Sequence, residues 1–247
     1  MASTFLYVPA NKQVSLYAGV SAVIDSDYTD DWLCDGLPGR PIRSTNTSLS
    51  ATITPLAAGT CSIAAIINHN VSVNATLGAD LSGTITAGAI GKNGIYLNPY
   101  LTFSPVAGVD SITLTIASNG ATVVIGEFIA GEYTSLTLPF YRDHSFKQMD
   151  YARAVDMDLS SVRPYDPGLV SRTWSATWPA LTTAEKNALL DAYDAQKGKT
   201  QPTLVVPDTS VNDAWACFLT APQWKPSDVP NRWEVSCALE EIPRSRW

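Results

Sequence analysis

The run Ser111-Ile112-Thr113-Leu114-Thr115-Ile116 alternates strictly between hydroxyl and apolar side chains. Side chains alternate faces along a strand, so Ile112, Leu114 and Ile116 must share one buried face. Asn119-Gly120 follows, and strand character resumes at Ala121-Thr122-Val123-Val124-Ile125. Asn-Gly between two such runs predicts a tight hairpin, because both central turn residues then need positive φ. Ser62-Ile63-Ala64-Ala65-Ile66-Ile67 is a short continuous apolar run, which predicts a strand covered on both faces. Further turn signals stand at Pro38-Gly39, Asn93-Gly94 and Asn98-Pro99. Short strands broken by such turns are the pattern of a β-sandwich or jelly roll.

Charge divides the chain in two. Only 16% of the 247 residues are charged, against roughly 25% in an ordinary domain. Residues 1–140 carry 13 charges and residues 141–247 carry 26; between Arg43 and Asp110 only Asp80 and Lys92 are charged. Trp32 is the one tryptophan of the first part, and six follow from Trp174 to Trp247. These two regimes predict a jelly-roll domain over 1–140 and a second β domain, barrel or sandwich, over 141–247. Net charge is −7 with no basic block, which argues against nucleic-acid binding. No apolar stretch is long enough for a membrane helix, and no secretory signal is visible at the start.

The second part carries one helix signal. Thr182 with Glu185 forms a capping box, and Ala184, Ala188, Leu189, Ala192 and Tyr193 fall on one face. Gly198 is the expected C′ stop and Pro202 forbids continuation, so the helix spans about 182–197. Around it, Val155/Met157/Leu159, Trp174/Ala176/Trp178, Trp215/Cys217/Leu219 and Trp233/Val235/Cys237/Leu239 alternate as strands, the second ended by Pro179. Thr220 to Arg232 holds three prolines and reads as a long hairpin loop presenting Trp224.

Catalytic patterns are weak. Of two histidines, His69 ends an apolar strand and reads as structural, and His144 has no partner pattern. No Gly-x-Ser-x-Gly elbow and no phosphate-binding glycine loop occur. Asp156 and Asp158 share a strand face but read as a solubilising surface rather than a glycosidase pair. Cys34, Cys61, Cys217 and Cys237 lack metal-site spacing and read as core thiols, although Cys217 and Cys237 could pair on oxidation. Asp25, Asp27, Asp30, Asp31 and Asp35 read as a solvated acidic loop; Ca²⁺ there remains open, without the glycine turn and terminal Glu of an EF-hand. Asn46, Asn70 and Asn74 match glycosylation acceptors at a chance rate. No enzyme activity, cofactor or metal is therefore expected.

Ile63-Ala64-Ala65-Ile66-Ile67-Asn68-His69-Asn70-Val71-Ser72 resembles a strand motif of discoidin-like jelly rolls in tailed-phage virion proteins. Asp30-Asp31-Trp32 with Asp35, and Ile125-Gly126-Glu127 later, stand where such jelly rolls carry an acidic Trp stretch and a Gly-Glu strand. Trp178-Pro179-Ala180-Leu181-Thr182, Glu185, Leu189, Gly198, Leu204-Val205-Val206-Pro207-Asp208 and Trp233 to Glu241 resemble the ring domain of phage distal and minor tail proteins. The resemblance implies a structural virion protein, made in the host cytoplasm. It would form a homo-oligomeric, six-fold ring contacting tail-tube, tail-hub and tape-measure proteins. The domain order is reversed from the usual distal tail layout. Trp224 and Trp247 are the expected interface residues. The alternative is a carbohydrate-binding module or adhesin reading host glycans, with Trp32, Arg40 and Arg43 as contacts.

Overall fold

The computed structural model describes residues 4–90, 96–136, 145–150, 153–154, 165–166 and 169–245, with residues 145–170 and 244–245 described as backbone only. The expectations at His144, at 155–159 including Asp156 and Asp158, and at Trp247 lie outside the described residues. Among the described residues the fold is mainly β: three larger antiparallel sheets in layers, with a helix on the last, and a two-stranded ribbon of Arg153–Ala154 with Tyr165–Asp166.

The front sheet orders its strands Gly19–Ala22, Leu49–Thr54, Ile112–Ile116, Ala75–Ala79 and Gly83–Ile85. The middle sheet runs Ile42–Arg43, Val124–Gly131, Gly59–His69 and Tyr100–Val109. Between them lies the jelly-roll core, in which Ile53, Ile112, Leu114 and Ile116 meet Cys61, Ile66, Ile125 and Phe128. Leu49–Thr54 alternates perfectly, with Ser50, Thr52 and Thr54 facing solvent. The hydroxyl-rich, charge-poor composition is thus the outer face of this sheet.

The middle sheet has a second dry face. Ile63, Ala65, Ile67 and Ile129 pack against Leu6, Val8, Leu204, Val206, Ala214 and Ala216 of the back sheet. Every residue of Val124–Gly131 is buried for this reason. The continuous apolar run at 62–67 is therefore a strand covered on both faces, as its composition predicts.

Among the described residues the back sheet has nine strands. Its path is Thr134–Leu136, Phe5–Val8, Thr203–Val206, Trp215–Leu219, Trp233–Glu241, Leu169–Leu181 and Ser145–Asp150, with Gln223–Pro226 and Arg244–Ser245 attached. Its outer face buries Phe5, Trp174, Trp178, Trp215 and Val235 under Leu189 and Ala192 of helix α1, Thr183–Ala195. The strands do not sort at residue 140: Phe5–Val8 and Thr134–Leu136 belong to this sheet. The N-terminal segment thereby laces the two predicted parts together.

Three local expectations are corrected. Asn119-Gly120 is not a hairpin turn, because Ile112–Ile116 pairs in the front sheet and Val124–Gly131 in the middle one. The connection is an arch between layers. Asn119 ties it, accepting from Ser72 N–H at 2.8 Å, and Gly120 alone of the two has positive φ. Pro179 does not end its strand; a register shift between Trp178 and Leu181 absorbs it, and Trp233 pairs with Leu181. Such an irregularity removes the need for the missing proline N–H. The Thr220–Arg232 stretch is not all loop, since Gln223–Pro226 pairs with Trp233 to Ser236.

Helix α1 carries the full capping box. Thr182 Oγ1 accepts from Glu185 N–H at 3.1 Å, and Glu185 Oε2 accepts from Thr182 N–H at 2.8 Å. At its other end Lys197, with φ 48°, holds the C′ position before Gly198. The buried stripe is narrower than its apolar sequence: Ala184 and Tyr193 are exposed.

Candidate functional site

The acidic Trp stretch builds a compact loop end on the jelly roll. A 3₁₀ helix, Asp30–Cys34, is anchored by fully buried Leu33 and Cys34. Trp32 is half-buried, with the Tyr28 ring edge-on at 6.1 Å. The Arg40 guanidinium lies 4.8 Å from the Trp32 ring centroid and 3.6 Å from Asp35 Oδ2. A cation over an indole face is attracted by the ring quadrupole, so Arg40 is held yet half-exposed. Two of the three expected glycan contacts, Trp32 and Arg40, are brought together. Arg43 is exposed on the edge strand Ile42–Arg43, paired with Val124.

The loop from Asp35 to Arg40 is seated on the middle sheet. Asp35 Oδ1 accepts from Leu37 N–H at 2.8 Å, closing a local turn. Asn68 Nδ2 donates to the Pro38 carbonyl at 2.6 Å. Gly126 makes this approach feasible, since a Cβ there would stand 2.1 Å from the Pro38 oxygen.

Glu127, next to Gly126, is the residue that pattern reading undervalued. It is the one carboxylate in an otherwise apolar strand, and it points into the loop. Its Oε1 accepts from Gly36 N–H at 3.1 Å, and its Oε2 is buried without a hydrogen-bond partner. Burial first, then Asp35, pushes its carboxyl well above the ordinary range, against the pull of backbone N–H groups. Asp35 is also raised by burial, partly offset by Leu37 N–H and Arg40. Buried oxygens of this kind favour either a proton or a hard cation. In the rest of the acidic stretch Asp25 accepts from Asp27 N–H, Asp30 from Asp31 N–H and Asp31 from Val20 N–H. Among the described residues no three acidic, His or Cys side chains gather as a metal cluster.

His69 is buried and committed to backbone. Its Nδ1 accepts from Val71 N–H at 2.8 Å, which leaves Nε2 to donate to the Leu97 carbonyl at 3.1 Å. The four cysteines are buried free thiols. Burial pushes Cys61 and Cys237 up to about 12 and raises Cys34 and Cys217 well above the thiol range. Such thiols are poor nucleophiles.

At the far end of the back sheet Trp224 is 51% exposed. The Trp233 ring stands edge-on to it at 5.3 Å, and Lys186 Nζ lies 4.4 Å from one indole and 4.3 Å from the other.

No protein-family model matches the chain. No curated protein matches it either. Solved structures similar to part of it include SpGH29, at 13% identity and TM-score 0.40, over 51% of this chain and 29% of that one. A Streptococcus pneumoniae fucose binding module is 11% identical with TM-score 0.40, over 49% of this chain and 98% of its own. A family 32 carbohydrate-binding module from C. perfringens, solved in complex with galactose, is 17% identical with TM-score 0.38, over 53% and 99%.

Proposed function

We propose that the protein is a non-enzymatic recognition protein that binds glycans through the loop end of its jelly roll. The observation that carries this is the Trp32–Arg40–Asp35 group: an indole, a guanidinium and a carboxylate meeting on a buttressed loop. An aromatic body with polar neighbours suits a ligand that has an apolar face and hydroxyl edges. Arg40 supplies donors, while Asp35, Leu33, Cys34, Asn68 and Gly126 hold the loop in place. His69 and the cysteines are all engaged in structure, so none supplies a ready base or nucleophile.

Retention on an immobilised glycan panel tests the reading. Arg40→Ala is expected to weaken retention about tenfold or more, since a charge-assisted hydrogen bond is worth roughly 1.5–3 kcal/mol. Its melting temperature should stay unchanged, because Arg40 is half-exposed. A panel without hits, or an Arg40→Ala variant that binds like the wild type, would sink the reading.

A second reading is an assembly subunit of a phage tail, a homo-oligomeric ring. The exposed Trp224, braced by Trp233 and Lys186, favours it, because half-buried tryptophans are typical contact anchors. Light scattering across a concentration series separates the two readings: the ring requires a defined oligomer that Trp224→Ala dissociates.

A further inference from the structure

Two hollows adjoin along the seam between the jelly roll and α1. The first, about 580 Å³, lies between α1 and the segment from Ala10 to Tyr17. The second, about 370 Å³, lies beside the turn at Leu56. Asn11, Gln13 and Leu16 line both, so the two hollows are neighbours and count together as one groove. Tyr17 stands in its wall, 45% exposed, with φ 59°. A bulky side chain in the left-handed region is a backbone outlier that the surroundings must enforce. Here the Tyr17 N–H donates to the Cys34 carbonyl at 2.6 Å, and that carbonyl belongs to a fully buried residue. The Tyr17 backbone is thus tied to the jelly roll beside the groove. From α1, Asp191 and Asp194, three residues apart, line the same hollow, with Lys197 just beyond the helix.

We propose that this groove binds a linear oligosaccharide. Asp191 and Asp194 accept from hydroxyls, the amides of Asn11 and Gln201 both donate and accept, and the Tyr17 ring offers a flat apolar surface. Two neighbouring hollows of about 580 and 370 Å³ give room for more than one sugar unit. The site is separate from the Trp32–Arg40 loop and does not depend on that reading.

Amide NMR titrations with cellohexaose, chitohexaose and maltohexaose test it. At least one should shift Asn11, Tyr17, Asp194 and Gln201. Tyr17→Gly removes the ring but suits φ 59°, so it is expected to weaken binding about tenfold, roughly the loss of one good contact, with no fall in melting temperature. Asp194→Asn, on the exposed face of α1, should weaken the same sugar. Arg40→Ala should leave these shifts intact. The proposal is overturned if none of the three sugars shifts the groove, if Tyr17→Gly and Asp194→Asn bind like the wild type, or if Arg40→Ala abolishes the shifts.

Discussion

Arg172 donates from Nε to Glu241 Oε2 at 2.7 Å, and both side chains are buried. The guanidinium also bonds Asp213 and lies 4.0 Å from the Trp215 ring centroid. Asp213 in turn accepts from Asn98 N–H at 2.9 Å and from Trp215 Nε1 at 3.0 Å. One buried cation therefore joins three strands of the chain to the loop that begins the strand Tyr100–Val109. Arg172→Met would strand two buried carboxylates, and breaking such a pair costs about 3–5 kcal/mol. Urea unfolding should show the loss as a lower midpoint.

Glu127 makes stability fall as pH rises. Its folded carboxyl titrates well above its unfolded value, which is about 4.3. The folded state therefore binds the extra proton, and stability is lost as pH rises from the unfolded value through the folded one. Glu127→Gln mimics the protonated group. The variant and the wild type should melt together near pH 4, and the variant should melt higher at pH 8. Thermal scans at the two pH values measure this directly.

Gly126→Ala should dislodge the Pro38 loop. The added methyl meets the Pro38 carbonyl at 2.1 Å and Asn68 Cβ at 2.8 Å, and both are held by the bond between them. Overpacking of this kind costs about 1–3 kcal/mol. Trp32 fluorescence should change with it, because the same loop carries Arg40 over the ring.

Thr182→Ala should weaken α1. It removes the acceptor for Glu185 N–H, and loss of an N-cap costs roughly 1 kcal/mol. Loosening of the apolar cover over Trp178 should appear as faster amide exchange in α1, with the jelly-roll amides unchanged.

Much of the strand content was readable from alternation, as at Ile112–Ile116 and Leu49–Thr54, and the capping box at Thr182 and Glu185 placed the helix. The Trp32–Arg40 pair was also within reach, because only seven residues separate the two. Asn119-Gly120 misled, since a turn signal is local and does not say which sheet the next strand enters. The Arg172–Glu241 pair left no trace in the sequence: its members lie 69 residues apart, and each looks like an ordinary charge.

The sequence by itself determined that this chain is β-rich, short of charge between Arg43 and Asp110, and capped at Thr182, because alternation and capping act over a few residues. Only the tertiary structure decided that Phe5–Val8 joins the sheet of the C-terminal strands. The same holds for Glu127 losing its solvent and for Tyr17, Asp191 and Asp194 lining one hollow. These depend on which apolar face buries against which, and that choice is made by packing of the whole chain rather than by any local pattern.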